Sequence, residues 1–438
     1  MRYLPHTRHD IRKMMDTVGI KDISELFESI PFEARLNKSL DLPPAFSEIE
    51  LDRLMRSLAE RNACASAGCC FLGGGAYRHY VPAAVDAISG RSEFVTSYTP
   101  YQPEASQGTL QAIFEFQTMV ASLSGMEAAN ASMYDGAESL AEAALMSLRM
   151  SSRRNKILVA RSVHPEYRQT MATYLAFQEA VIEEVDYDAE TGRVDMKKLE
   201  AVLGDDVATF IAQSPNFFGV VEDIRAISNV CVKTETNVVT AVSEPLAWAL
   251  LAPPGELGAS IACGELQSFG IYPSFGGPGC GFLSAKMKDI RNMPGRLVGE
   301  TVDAEGARGY CLTLATREQH IRRGRATSNI CTNQSLMALR AAIFMALMGK
   351  EGLIKLAVVN LSLAEYAKRI LGAKAALKFK APTFNEFVLR LGKDAEKKLN
   401  VLNDMGIFAG LPLGRWYPEL SDSVLVTLTE LNAREDID

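Results

Sequence analysis

Between residues 156 and 285 the chain passes through six short β-rich stretches: KILVA (156–160), VIEEV (181–185), ATFIAQSP (208–215), NVVTAV (237–242), SIACG (260–264) and GCGFLSA (279–285). Helical segments such as MKKLEAVLG (196–204) separate several of them. Continuous apolar strands alternating with amphipathic helices imply a mainly parallel sheet covered on both faces. The pattern therefore predicts an α/β chain. Just upstream, Leu110, Ile113, Phe114, Phe116, Met119, Val120 and Leu123 form one broad apolar stripe at helical period, closed by Gly125. A long alanine-rich helix, ESLAEAALMSLRM, follows Asp135-Gly136-Ala137.

The flanks read differently. Residues 1–62 are polar and helical, with SELFESI and SEIELDRLMRSLAE as amphipathic pieces whose expected N-caps are Ser24 and Ser47. They form an arm ahead of a large domain at 63–325. Within that domain, the charged sequence after Gly295 reads as helical. Residues 326–438 mix long helices (SLMALRAAIFMALM, LAVVNLSLAEYAKRIL) with strands NEFVLRL (385–391) and SVLVTLTE (423–430), a smaller α+β domain.

Charge and cysteine usage narrow the function classes. A net charge of −7 over 438 residues argues against a nucleic-acid-binding surface, which needs clustered Lys and Arg. MRYLPHTRHDIRKMM lacks the apolar region of a secretory signal, and the longest apolar runs fall short of a membrane span. The eight cysteines include no CxxC pair and no histidine at zinc-site spacing. The expectation is a cytoplasmic protein with reduced thiols, no metal and no membrane association.

Several stretches could carry chemistry. DGAES (135–139) sits at a strand-to-helix junction, where free N–H groups hold an anion or Asp135 simply caps a helix. His164, in SVHPEYRQTM, belongs on a loop at the sheet's C-terminal edge; it could stack on an aromatic cofactor, shuttle protons, or be structural. Glu222 and Asp223 in QSPNFFGVVEDI fit the charge preferred at a helix start. The loop TSYTPYQPEASQG (96–108) concentrates Tyr98, Thr99, Tyr101 and Gln102 between prolines, phenols and amides suited to a small ligand. In FLGGGAYRHYVP (71–82), three glycines precede Arg78 and His79, which suggests close backbone approach to a ligand or another chain. RRGRATSNICTNQ (322–334) could line an anion site through Ser328, Asn329 and Thr332, with Arg325 as a clamp.

Together, MRYLPHT, GGGAYRHYVP, FVTSYTPYQPEASQGTLQAIFEFQTMV, YDGAESLAEA, QSPNFFGVVED, PPGELGA, QSFGIYPSFGGPGCGFL and ATSNICTNQSLMAL closely resemble the glycine-cleavage P-protein family, in particular its alpha chain where the enzyme is split in two. The resemblance runs from residue 1 to beyond 430. It implies an aminotransferase-like large domain, of the fold type I class that uses pyridoxal 5'-phosphate, followed by a smaller domain. It also implies glycine decarboxylation, with transfer of the aminomethyl group to the lipoyl arm of H-protein by two alpha and two beta chains. In such proteins the beta chain carries the cofactor lysine just before a glycine-rich loop.

Here the matching position is Gln267 or Ser268, and no lysine lies between Lys233 and Gly276. A Schiff base needs a primary amine, which neither an amide nor a hydroxyl supplies. The acid that would pair with the pyridine nitrogen is also displaced, leaving Glu244 beside Pro245 as its nearest substitute. The resemblance thus implies a cofactor held by the beta chain, with Tyr98, Thr99, Tyr101 and Gln102 reaching it or glycine. Arg78, His79, Ser328 and Asn329 are further contacts of this kind, while His164 and Asp135 are structural remnants. The alternative is a self-sufficient aminotransferase-type enzyme using a lysine from an unexpected place; Lys286 and Lys288, after the glycine loop, are poorly placed for it.

Overall fold

The computed structural model describes residues 5–36, 38–64, 68–151, 153–330 and 332–438. Residues 1–4 of the MRYLPHT motif and Cys331 of ATSNICTNQ lie outside them. The chain divides into two units, Met1–Ala63 and Cys64–Asp438.

The first unit holds α1 (Arg8–Val18), a 3-10 turn over Ile23–Phe27, and α2 (Glu48–Ala59). Each opens with a reciprocal cap: Thr7 with Asp10, Asp22 with Glu25, Ser47 with Glu50. The first side chain accepts a free amide and the acid reaches back to the cap's own N–H. Ser47 caps α2 as expected. The cap expected at Ser24 is instead Asp22, whose carboxylate accepts the Ser24 amide at 2.8 Å and leaves Ser24 inside the turn. No side chain of these three elements is buried, so caps rather than a core of their own define them.

In the second unit, β1 (Ala128–Ala129), β2 (Lys156–Ala160), β3 (Val181–Val185), β4 (Val207–Gln213), β5 (Asn237–Val242), β6 (Ile261–Glu265) and β7 (Gly281–Ala285) form one sheet ordered β1-β7-β6-β5-β4-β2-β3. Strands β2 to β6 are parallel; β7 returns antiparallel to β6, and β1 is antiparallel to β7. The six expected strands are all present to within two residues. Both faces are buried by alternation. Ile261 and Cys263 of β6 enter the apolar cluster on one face while Ala262 enters the cluster on the other. The edge strand β3 carries Glu183 and Glu184, charges that blunt an open sheet edge.

Helices α3 (Gln107–Ser124), α4 (Gly136–Met150), α5 (Pro165–Leu175) and α6 (Ser335–Gly372) supply the cover. Leu140, Ala144 and Met171 pack on one face, and Phe116, Val120, Ala341 and Phe344 on the other. The two helices expected after residue 330 follow one another within α6 and are separated by Gly349, whose backbone (φ 57°, ψ −177°) is non-helical.

The helical reading after Gly295 is overturned. β8 (Leu297–Val302) and β9 (Arg308–Thr313) form an antiparallel hairpin. Its turn is closed by the Asp303 carboxylate, which accepts the Glu305 and Ala307 amides at 3.0 and 2.7 Å. Val298 and Tyr310 are buried with Leu110, Ile113 and Ala131, so tertiary packing outweighs the local charge pattern. A second sheet, β10 (Ala376–Leu377), β11 (Glu386–Arg390), β12 (Leu411–Pro412) and β13 (Ser423–Thr427), is antiparallel in the order β10-β11-β13-β12. Among the described residues no helix is long and apolar enough to cross a membrane.

Phe344 is fully buried and stacks on Phe269 with ring centroids 5.6 Å apart. Phe344→Ala is expected to lower the free energy of unfolding by about 3–5 kcal/mol in chemical denaturation, the cost of a large core truncation. A change below about 1 kcal/mol would contradict this packing.

Candidate functional site

The parallel strands deliver a set of polar groups to one edge, where open α/β sheets bind ligands. His164 follows β2, Ser243 and Glu244 follow β5, Gln267 and Ser268 follow β6, and Gly136 opens α4. A single segment of the same chain, residues 73–80, lies across these groups and engages most of them.

Tyr77 is the centre of that segment and is fully buried. Its N–H donates to Gln267 Oε1 at 2.8 Å, and its carbonyl accepts from Gln267 Nε2 at 3.0 Å. Gln267 Nε2 also donates to the Ile271 carbonyl at 2.6 Å, so the amide is fully engaged. The Tyr77 phenol donates to Glu386 Oε2 at 3.0 Å and accepts from the Ser243 hydroxyl at 3.1 Å, and Ser243 in turn accepts from Gln213. Glu386 also receives the Gly74 amide and the Thr427 hydroxyl. Burial pushes its carboxyl up to about 7 against those donors.

His164 faces the same segment. Its Nδ1 accepts the Glu166 amide at 3.2 Å, which leaves Nε2 protonated and donating to the Gly74 carbonyl at 2.7 Å. Burial lowers its pKa, in keeping with a neutral ring. The ring stacks on Tyr167 and meets the edge of Phe217, each at 4.7 Å. Gly75 has φ 113°, and a Cβ there would lie 2.9 Å from His164 Nε2; this is what the glycine run permits.

At the start of α4, the expected anion position, one amide is taken by a side chain of the same chain. Glu265, buried at the end of β6, accepts the Gly136 amide at 3.0 Å through Oε2, and the Cys280 and Leu266 amides at 2.6 and 3.1 Å through Oε1. Burial raises its pKa to about 7 even so. A Cβ on Gly136 would come within 2.1 Å of the Tyr167 hydroxyl, so the helix start is tightly enclosed. Asp135 caps α4 by accepting the Glu138 amide at 2.8 Å.

The sequence places His79 among possible contacts of a bound cofactor; its side chain is buried, with Nε2 2.9 Å from Glu244 and Nδ1 2.9 Å from Glu430. Both nitrogens must carry hydrogens to satisfy two carboxylates. Burial opposes the charge, yet the Glu244 and Glu430 carboxylates outweigh it and raise the pKa to about 10. Glu244 also accepts the Ser268 hydroxyl at 3.0 Å. Both ring nitrogens of His79 and both oxygens of Glu244 are thus engaged within the chain. Arg78 beside it is half-buried.

A second polar cluster is open. On the loop before α3, Tyr98 is 79% exposed and Tyr101 52%, Gln102 is exposed, and Thr99 is half-buried. The cleft beneath is lined by Tyr98, Thr99, Arg296, Thr332 and Asn333. Arg296 Nη2 donates to the Tyr101 phenol at 3.3 Å, and His320 meets the Tyr101 ring edge at 5.5 Å. Glu318 Oε2 lies 3.9 Å from Arg296 Nε and 3.6 Å from His320 Nδ1. Sequence reasoning missed Arg296, Glu318 and His320; the Glu-x-His spacing just ahead of the arginine run was the available signal. Of the 322–334 candidates, Ser328 donates to Glu142 at 2.7 Å, while Arg325 and Asn329 are exposed.

The whole chain, residues 1–438, matches the family model described as glycine cleavage system P-protein. It is 48% identical over 438 residues to the probable glycine dehydrogenase (decarboxylating) subunit 1 of Geobacillus kaustophilus (strain HTA426), covering 100% of this chain and 97% of that protein. The protein of the same description from Solibacter usitatus (strain Ellin6076) is also 48% identical, over 439 residues, with 100% and 96% covered. Among solved structures, an inhibitor-bound glycine decarboxylase (P-protein) of the glycine cleavage system has a TM-score of 0.91 at 41% identity, covering 100% of this chain and 98% of that one. A sphingosine-1-phosphate lyase from Burkholderia pseudomallei K96243 has a TM-score of 0.64 at 17% identity, with 93% of each chain covered; that likeness is one of fold.

The buried imidazolium sets a pH dependence. A histidine raised from 6.5 to about 10 contributes its full stabilisation below pH 6.5 and loses it as pH climbs towards about 10. His79→Gln is therefore expected to lower the denaturation midpoint most near pH 6, with the deficit shrinking as pH rises. A deficit that widens over that interval would contradict the doubly paired histidine.

Proposed function

Because the chain belongs to the glycine cleavage system P-protein family, we propose that it is the lysine-free half of a two-chain glycine decarboxylase. Its relatives are called subunit 1, which implies a partner subunit. Its fold is that of fold type I pyridoxal-phosphate enzymes. In this reading glycine loses carbon dioxide in the assembled enzyme, and the aminomethyl group passes to the lipoyl arm of H-protein. The partner is a beta chain, two of each chain make the assembly, and the enzyme works in the cytoplasm.

One observation carries the assignment of the cofactor to the partner: the cleft of this chain is filled by its own residues. Pyridoxal phosphate needs an amine for its aldehyde and free N–H groups for its phosphate. At the first place stands Gln267, bound on both sides of its amide to Tyr77, or Ser268, whose hydroxyl donates to Glu244; at the second, the Glu265 carboxylate already takes the Gly136 amide of α4. These residues do not fit the group. Admitting it would expel Tyr77 and strand Gln267, Ser243 and Glu386, each buried polar group costing about 1–3 kcal/mol when left unpaired. Lys286 and Lys288 lie beyond the end of β7, after Ala285, which disfavours the self-sufficient alternative.

What this chain offers is the exposed face at Tyr98, Thr99, Tyr101 and Gln102. These residues reach the partner-held cofactor or glycine, with Asn329 as a further contact on the same chain.

The test is borohydride trapping and glycine–bicarbonate exchange, on this chain alone, on Gln267→Lys alone, and on the complex with its lysine-bearing partner. Only the complex is expected to trap cofactor and exchange carbon dioxide. An added lysine does not open a cleft that Tyr77 and Glu265 occupy. Cofactor trapped by the isolated wild-type chain, or exchange without a partner, would overturn the reading.

A further inference from the structure

An exposed tyrosine on a loop ordinarily samples several rotamers, and fixing it costs side-chain entropy. Tyr101 is held although half of it is open to solvent. The Arg296 guanidinium lies 5.5 Å from its ring centroid and also donates to its phenol oxygen at 3.3 Å. His320 closes on the ring at an interplanar angle of 66°. One residue thus contacts both the face of the ring and its polar tip, and a second braces the edge.

Arg296 is itself placed by the fold. It immediately precedes β8, its side chain is only 10% exposed, and its carbonyl accepts the Ala131 amide at 2.9 Å. The segment carrying Glu318 and His320 is tied to the same strand start, because Arg317 Nη2 donates to the Gly295 carbonyl at 2.7 Å. Glu318 Oε2 sits between Arg296 Nε and His320 Nδ1, 3.9 and 3.6 Å away. The direction of the Arg296 bond has a chemical consequence. The phenol oxygen accepts from the guanidinium, so its own hydrogen is free to be donated outward, to an acceptor such as a carboxylate or phosphate oxygen.

Resting on the reading that the 98–102 loop reaches the partner's site, we infer that Arg296, beside Glu318 and with His320 against the Tyr101 ring, is a positioning residue that aims the Tyr101 hydroxyl at an anionic oxygen of the bound ligand. Arginine is required for its shape. A lysine keeps the charge but lacks the flat guanidinium, which lies over the ring and donates to the phenol at once.

A double-mutant cycle on the assembled complex tests this, read as kcat and KM for glycine in the exchange reaction. Tyr101→Phe and Arg296→Lys are each expected to lower kcat about 10-fold, as loss of a hydrogen bond used in the transition state does. KM should stay within about 2-fold, and the double variant should be no slower than Tyr101→Phe. His320→Ala, at a half-exposed position that folding tolerates, should lower kcat in the same direction and likewise add nothing in the Tyr101→Phe background. Losses that multiply to about 100-fold, or a neutral Arg296→Lys, overturn the positioning role while leaving the loop's role intact. A silent Tyr101→Phe overturns both.

Discussion

The reciprocal bonds between the Tyr77 backbone and the Gln267 amide hold the rest of the arrangement in place. They bring a segment near the start of the second unit against the end of a central strand 190 residues later. An amide matches this task well, since it offers one acceptor and a donor pair to a peptide group. A lysine at the same position could donate to the carbonyl but could not accept the N–H. The amide that stands at position 267 is therefore the group that closes the cleft.

Around that pair the closure spans both sheets. Tyr77 bridges Ser243 of the large sheet to Glu386 of the small one, and His79 bridges Glu244 to Glu430. Buried carboxylates are tolerated because each has donors: three amides for Glu265; an amide, a hydroxyl and a phenol for Glu386; an imidazolium for Glu244 and Glu430. This cleft is the joint between two parts of the chain. The open polar face at Tyr98 and Tyr101 is a separate feature, on the loop entering α3, and both rings are exposed.

Much of the scaffold was legible because its signals are local. The strands at 156–160 and 237–242 sit where their apolar runs ended, and α3 closes at Gly125 as its stripe required. The hairpin at 297–313 was not, since its burial against α3 decides a pattern that local charge leaves ambiguous. The absence of an amine at 267 and 268 was readable, whereas the groups that fill the cleft were not. His79 finds Glu430 351 residues away, and Gly136 finds Glu265 at a separation of 129. Glu265 and Glu386 also lie in strands, where a glutamate most often marks a solvent-facing position. Arg296 and Tyr101, 195 residues apart, meet only through the placement of β8 beside α3.

The most direct test is hydrogen exchange at the Tyr77 amide in the isolated chain, with and without added pyridoxal phosphate. The closed cleft requires slow exchange, comparable to the amides of β5 and β6, and no change when the cofactor is present. Exchange at loop rates, or protection that appears only with the cofactor, would mean that the segment is a removable cover over a working site.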